Sequence, residues 1–308
     1  MSYRIPLPTG GRLKSLDVVD PSSSSVQRLL RRTGLSSYEP STAAALFACF
    51  ERRGDGFVFF DVGANVGLYA ALAAAVFEPA TVVAFEPTPA TADIADAIAR
   101  ANDLQIDVVR SALSDKEGHA DLHISPVSDS SNSLNADFRN GVETVRVPVM
   151  RLDEFVRQMN VSPDVIKIDV ETHEAAVLRG ARATLARCRP DLVVEVLSGR
   201  RGRDFASEVN AAVAGLGYSM YELAATPSFV EEPKLFASAG ETRDWLLTAT
   251  PLPADFSDRW AIWSTRLGLC APERNSRVPV GPALRRAWDR GGIREIAATV
   301  RRVVRRRR

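Results

Sequence analysis

The sequence predicts an α/β fold built on a mostly parallel, doubly wound sheet that an antiparallel strand closes. Three observations carry this expectation. Apolar runs and helical patterns alternate through the middle of the 308-residue chain, the arrangement of a parallel sheet covered on both faces. The first run of the series ends in the turn D-x-G-x-x-x-G (Asp61, Gly63, Gly67) and leads directly into the helical pattern "LYAALAAAVF". Two later runs, "YSMYEL" (218–223) and "DWLLTAT" (244–250), are the candidate closing strands.

The elements follow in order. Residues 1–37 are polar, broken by Pro, Gly and "SSSS", and read as an arm or cap with one short basic helix at "VQRLLRR". "STAAALFACFER" (41–52) is a helix with a serine cap. Strands are expected at 57–62, 81–86, 106–112, 164–170 and 191–197, and helices at 68–77, 89–101 and 173–188. The segment 118–150 breaks the rhythm. There "HADLHIS" and "VETVRVPVM" read as an antiparallel pair around the polar loop "PVSDSSNSLN", a candidate flap, since such insertions often carry function. The α/β rhythm stops near residue 252. The division is therefore an arm or cap (1–37), one α/β domain (38–252) and a C-terminal extension (253–308).

Composition narrows the function. Hydrophobic residues make up 45%, enough for a sizeable core, and the net charge of +1 gives no overall pull toward nucleic acid. Cys49, Cys188 and Cys270 are far apart and odd in number, which is no disulfide framework and no metal spacing. The start "MSYRIPLPTGGRLK" lacks the apolar core of a signal peptide, and no run approaches the ~18 apolar residues of a membrane span. A cytoplasmic chain is expected. The last 26 residues carry ten arginines against one aspartate and one glutamate. Ile293, Ile296, Ala297, Val300, Val303 and Val304 recur at the spacing of one helical face. A basic amphipathic helix of this kind suits peripheral contact with an anionic membrane; a solvated tail, or docking on the protein's own acidic surface, is the alternative.

Ligands of doubly wound sheets bind at the carboxyl ends of the strands. A dinucleotide turn reads G-x-G-x-x-G and cradles a pyrophosphate. Here the middle glycine is missing, and Asp61 puts a carboxylate where phosphates would lie. That sign suits S-adenosylmethionine, which carries an ammonium, a sulfonium and a carboxylate but no phosphate. Glu86 ends the next strand, where an acid bonds the ribose hydroxyls of either cofactor class. For both acids, capping of a turn is the structural alternative. A third group follows the strand at 164–170, with Asp169 at its end and Glu171, His173 and Glu174 opening the next helix. These residues could orient an acceptor hydroxyl, take its proton, or hold a divalent cation. Glu174 has the alternative of an ordinary helix-dipole partner.

The ordered blocks "YEP" (38–40), "DVGANVGLY" (61–69), "AFEPTP" (84–89), "SALSDKEG" (111–118), "SNS" (131–133), "RLDEF" (151–155), "IKIDVETHEAAVLRGA" (166–181) and "PDLVVEV" (190–196) resemble the FkbM-type methyltransferases. The resemblance covers about residues 38–250. It implies a Rossmann-like class I methyltransferase fold and S-adenosylmethionine-dependent O-methylation of a hydroxyl on a sugar, a glycolipid or polysaccharide, or a secondary metabolite. It implies that Asp61, Gly63, Asn65 and Gly67 line the methionine part, that Glu86 holds the ribose, and that Ser111 with Ala112 flanks the adenine. Glu39, Ala64, Tyr69 and Pro87 fall in the same matched blocks and complete the expected cofactor set. Asp169 is placed between cofactor and acceptor. One departure stands out: the family usually has glycine where this chain has Thr172.

Methyl transfer from a sulfonium is an in-line displacement with a good leaving group. The main task is to hold the acceptor oxygen about 3 Å from the methyl carbon, and a base contributes perhaps 10²–10⁴-fold. His173 is a candidate base from its ordinary pKa near 6.5; Asp169 and Glu171 are its rivals. His119 and His123 read as surface residues. Two other functions stay open at this point: a nicotinamide-dependent oxidoreductase on a similar sheet, and a cofactor-binding module that has lost catalysis. Base methylation of nucleic acid lacks both an Asn-Pro-Pro-aromatic motif and a basic patch beside the site.

Overall fold

A computed structural model describes residues 2–8, 10–19, 24–125, 131–135, 143–197, 204–223, 231–232, 234–235 and 243–270. The basic C-terminal segment and residues 126–130 of the expected flap lie outside the described residues.

The chain opens with an antiparallel hairpin, β1 (Ser2–Pro6) and β2 (Ser15–Val19), and then α1 (Ser25–Thr33). The sequence reading anticipated only the helix. Ile5, Leu16 and Val18 of the hairpin are buried in the main core. Asn102 fixes the hairpin from outside, exchanging two hydrogen bonds with the Asp17 backbone at 2.7 and 2.8 Å. Ser24 caps α1 by accepting from the Gln27 amide.

The expected alternation follows: α2 (Pro40–Arg53), β3 (Val58–Val62), α3 (Leu68–Val76), β4 (Thr81–Phe85), α4 (Pro89–Ala101) and β5 (Asp107–Val109). The strand expected at 106–112 is split. β5 stays in the main sheet, and β6 (Ala112–Leu113) turns away into a small sheet with β7 (Gly118–His123) and β8 (Thr144–Met150), in the order β6-β8-β7. β7 and β8 are the expected antiparallel pair.

Then come α5 (Leu152–Met159), β9 (Val165–Ile168), α6 (Glu174–Gly180), α7 (Arg182–Cys188) and β10 (Asp191–Val196). The helix expected at 173–188 breaks between α6 and α7. Gly180 lies so close to the Ser114 carbonyl that a Cβ would sit 1.9 Å from its oxygen. Asp153 then caps the new start by accepting from the Ala183 and Thr184 amides at 3.0 and 2.7 Å.

The chain closes with α8 (Phe205–Val213), β11 (Ser219–Glu222), the short β12 (Glu231–Glu232), β13 (Arg243–Thr248) and α9 (Phe256–Gly268). The main sheet runs β12-β11-β13-β10-β9-β3-β4-β5. Its β10-β9-β3-β4-β5 part is parallel, and β13 pairs antiparallel with both β10 and β11. The core lies in two layers, one on each face of this sheet. Where the sequence rhythm stopped, α9 packs on α2, with Trp263 edge-on to Phe47 at 5.1 Å and the Trp260 indole donating to the Ser41 carbonyl at 3.1 Å. Among the described residues no helix is long and apolar enough to cross a membrane, and the three cysteines are unbridged.

Candidate active site

From β3 the chain crosses to β4 and β5 on one side and later returns to place β9 on the other. The order therefore reverses at the β3/β9 junction, and the crevice outside its carboxyl ends is where such sheets bind ligands. A cavity of about 360 Å³ lies there, within the range that holds one small molecule.

Of the two glycines of the turn, one shapes its floor. Gly63 has φ +78°, and a Cβ there would sit 1.9 Å from the Asp169 carbonyl oxygen. Only glycine lets the ends of β3 and β9 approach this closely. Gly67 has φ +73°, and a Cβ would meet that of Ala95 at 2.8 Å. It serves the packing of α3 on α4 rather than the cavity wall. Gly63 and Ala64 both donate to the Phe85 carbonyl at 3.0 Å, while Asn65, with φ +50°, turns the chain into α3.

The acids expected at the rim are present and tightly built in. Asp61 is fully buried behind the loop. Its Oδ2 accepts from the Ala70 amide at 3.0 Å, and its Oδ1 has no donor. Burial pushes its carboxyl up to about 6, against the pull of Lys167 and the Ala70 amide. Glu86 lines the cavity, yet both its oxygens already accept: Oε2 from the Asn65 amide at 2.9 Å, Oε1 from the Thr88 amide at 2.8 Å and the Thr91 hydroxyl at 2.9 Å. Burial raises its pKa in spite of these bonds. Glu86 thus joins the glycine loop to the start of α4; its Oε1 is fully engaged by two donors, and Oε2, with one, retains lone-pair capacity.

Lys167 was missed in the sequence. It stands in the apolar strand β9, is 4% exposed, and holds its ammonium 2.8 Å from Asp169 Oδ2 and 4.8 Å over the Tyr69 ring. Burial would lower its pKa, but Asp169, Asp61 and Glu39 outweigh burial and raise it. The signal was available: Lys167 and Asp169 are two apart in a strand, so their side chains leave the sheet on one face. Burial alone would raise Asp169; Lys167 and a hydrogen bond with Glu195 outweigh it and hold Asp169 below the ordinary carboxylate range. Glu195, from β10, is raised well above the ordinary range by burial first and by Asp169 second. Glu39 turns its carboxylate inward to accept from the Tyr69 hydroxyl at 2.6 Å. Withdrawal from water and the Asp169 charge push it up to about 7.

Of the expected cofactor residues, Glu39, Gly63, Ala64, Asn65, Tyr69, Glu86, Pro87, Ala112 and Asp169 line the cavity. Asp61, Gly67 and Ser111 stand behind it, and Ser111 donates to the carbonyls of Ala112 and Pro148 at 3.2 and 3.1 Å. Of the acceptor-side group, Glu171 and His173 line the cavity with Asp169. His173 Nε2 lies 2.9 Å from the Ser114 hydroxyl, and burial pushes its pKa down to about 4 despite Asp115. Glu174 points instead into the protein, where it accepts from the Val170 and Thr172 amides, both at 3.1 Å. Among the described residues, the acids close enough to share a cation are Asp169, Glu171 and Glu195, whose ligand atoms lie within 4.8 Å of one another. His173 and Glu174 are not among them, and the Lys167 ammonium already rests on Asp169. The cavity is closed on one side by Ser25, Val26 and Leu29 of α1 and on another by Leu122, Asn132 and Leu134. His123 is half-buried and bridged to Ser133, while His119 is exposed.

A doubly wound sheet with a carboxylate-rich cavity at its switch point, entered through D-x-G-x-x-x-G, is the architecture of a class I methyltransferase. A family model described as the methyltransferase FkbM domain matches residues 61–220, over half of the chain, and the chain belongs to the FkbM methyltransferase family. It is 32% identical over 149 residues to the hexuronic acid methyltransferase AglP of Haloferax volcanii, a match that covers 48% of this chain and 59% of AglP. Among solved structures it is similar to the methyltransferase FkbM of Methylobacillus flagellatus KT, with 15% identity, a TM-score of 0.39, and coverage of 63% of this chain and 44% of that one. A SAM-dependent methyltransferase of Agrobacterium tumefaciens has 10% identity and a TM-score of 0.41, with 80% and 70% of the two chains covered.

Proposed function

We propose that this methyltransferase uses S-adenosylmethionine and methylates a hydroxyl of a sugar or sugar-bearing acceptor. What supports the cofactor reading is the set of carboxylates lining the cavity, Glu39, Glu86 and Asp169, backed by Asp61, whose Oδ1 is buried behind the glycine loop with no donor. Such groups are rarely left unpaired. Asp61, Glu39 and Asp169 together exceed the one ammonium of Lys167, so this rim suits a cation and opposes a pyrophosphate. Asp61, Gly63, Asn65 and Glu39 would hold the methionine end, Glu86 the ribose, and Ala112 with Leu113 the adenine.

When bound, S-adenosylmethionine supplies an electrophilic methyl carbon whose leaving group departs as a neutral thioether. The residues of the chain then have two tasks. Asp169, kept anionic by Lys167 and Glu195, accepts a hydrogen bond from the acceptor hydroxyl, orients its lone pair, and takes the proton as the C–O bond forms. The walls exclude water and fix the approach, the larger part of the rate advantage. His173, neutral and held at Ser114, is a wall residue in this scheme, not the base. The sugar part rests on the 32% likeness to a protein named as a hexuronic acid methyltransferase.

Titration calorimetry with S-adenosylmethionine and with NAD tests the cofactor. Binding of NAD alone would sink the reading. Transfer of labelled methyl to a panel of hexuronides, neutral hexosides and non-sugar alcohols tests the acceptor. Turnover confined to non-sugar alcohols would remove the sugar and leave the methyltransferase.

A further inference from the structure

The turn between β9 and α6 holds two consecutive non-glycine residues at positive φ, Glu171 at +53° and Thr172 at +76°. For a β-branched residue this conformation is an outlier, and it persists only where the surroundings over-determine it. Here they do. Thr172 is 6% exposed, and its amide is held by the Glu174 carboxylate. Its Oγ1 accepts from the Asn135 side-chain amide at 2.9 Å. One residue earlier, the Glu171 carbonyl accepts from the Ser133 hydroxyl at 2.5 Å.

The partners are anchored in turn. Ser133 exchanges two backbone hydrogen bonds with His123, at 2.8 and 3.1 Å, and its Oγ accepts from the Asn135 amide at 3.0 Å. Residues 133–135 are thus bound on one side to the end of β7 and on the other to the strained turn. Leu134, between the two anchors, and Asn132 beside them form cavity wall next to Asp169 and Glu171. Glycine would reach φ +76° at less cost, but it offers no acceptor for Asn135.

We propose that Thr172 is a positioning residue: its hydroxyl latches Asn135 and thereby fixes Leu134 as acceptor-side wall, beside Asn132, whose own side chain accepts from the Ser125 amide at 2.9 Å and donates to the Thr88 hydroxyl at 3.4 Å. Backbone strain at one position is exchanged for an ordered wall at another. The inference rests on the reading above that the Asp169–His173 side faces the acceptor. It goes further in assigning recognition to a contact that touches neither cofactor nor reacting atoms.

Hydrogen exchange on the full-length chain tests the latch without any acceptor. Thr172→Val removes the hydroxyl and keeps the branched shape; Thr172→Ser keeps the hydroxyl; Asn135→Ala removes the donor away from the strained turn. Thr172→Val and Asn135→Ala should each raise amide exchange over residues 131–135 at least tenfold. The double variant should go no further than either single, and Thr172→Ser should match the wild type. S-adenosylmethionine affinity should stay within twofold throughout. With a methyl hexuronide and a methyl hexoside as probes, acceptor KM should rise at least fivefold in Thr172→Val, with kcat within twofold and Thr172→Ser restoring it. Unchanged exchange in both single variants, additive effects in the double, or a Thr172→Ser that behaves like Thr172→Val overturns the latch. Failure of both glycosides to be methylated overturns the sugar reading instead, and the exchange data still decide the latch.

Discussion

Asp61 and Asp191 are both fully buried, and they sit at opposite ends of the parallel sheet. At the start of β10, Asp191 is matched oxygen for oxygen: Arg52 donates to Oδ1 at 2.9 Å and Arg53 to Oδ2 at 3.0 Å, both from the last turn of α2. At the end of β3, Asp61 has one amide on Oδ2 and nothing on Oδ1. In the proposed scheme the cofactor supplies the donor that Asp61 Oδ1 lacks. The amino end of this sheet is built for stability and, in that scheme, the carboxyl end for a ligand.

The largest effect should come from breaking the satisfied site. Asp191→Ala leaves two guanidinium groups without their carboxylate, and loss of one partner of a buried ion pair costs about 3–5 kcal/mol. Because the Arg52 and Arg53 side chains remain 15% and 23% exposed, the lower end is expected. Urea denaturation should show this loss, while calorimetry on the folded protein gives an unchanged cofactor affinity. An affinity that fell in step with stability would erase the distinction between the two ends.

Asp61→Asn is the converse experiment. It should leave the melting temperature level or raise it, and weaken cofactor binding by about 1.5–3 kcal/mol, the worth of a hydrogen bond to a charged group. The pH dependence has a definite sign. Folding raises the Asp61 pKa to about 6, so the protonated form favours the folded state. The associated stability is full below about pH 4 and is lost as pH rises through about 6. Binding of a cation should strengthen over the same interval, as the carboxylate ionises. Both trends should vanish in Asp61→Asn, and a pH-independent affinity in the wild type would contradict the role.

Glu86 combines the two designs, with its structural bonds made and capacity left over. Glu86→Ala strands the Asn65 and Thr88 amides, while the Thr91 hydroxyl keeps the Thr88 carbonyl at 3.0 Å. Cofactor affinity and stability should each fall by about 1–3 kcal/mol, measured by calorimetry and by denaturation. Loss of stability with affinity intact would make Glu86 a brace for the glycine loop and nothing more.

What could be read from the sequence follows the same line between local and distant causes. The turn at 61–67 and the acid at Glu86 were legible because each is signalled by residues next to it. Lys167 was passed over because a strand pattern absorbs a single polar residue. Its spacing from Asp169 was the overlooked clue. Glu195 joined the site only through the β9/β10 pairing, which no local pattern encodes. The hairpin of β1 and β2 was hidden by its short strands and its Pro- and Gly-rich connection, although Leu16 and Val18 alternate as a half-buried strand should. The approach of Gly180 to the Ser114 carbonyl, beside the break between α6 and α7, joins residues far apart in the chain. His173 lines the cavity, but its spacing in the sequence carries only the solution pKa, since burial is not visible there.

That last point gives the smallest expected effect. Burial lowers the His173 pKa to about 4, so the neutral ring is the folded form. The stability linked to it is complete above about pH 6.5 and is lost as pH falls toward 4. The imidazole resonance of His173 should therefore titrate near 4, and the pH–rate profile should show no inflection from it above pH 5. His173→Gln can keep a hydrogen bond to Ser114 and should change turnover less than tenfold. Asp169→Asn should lose much more, since in the proposed scheme it removes the charge that receives the proton. A true general base at His173 would make its removal worth 10²–10⁴-fold. A loss of that size, with the ring titrating near 6.5, would return the proton to His173 and reduce Asp169 to an orienting group.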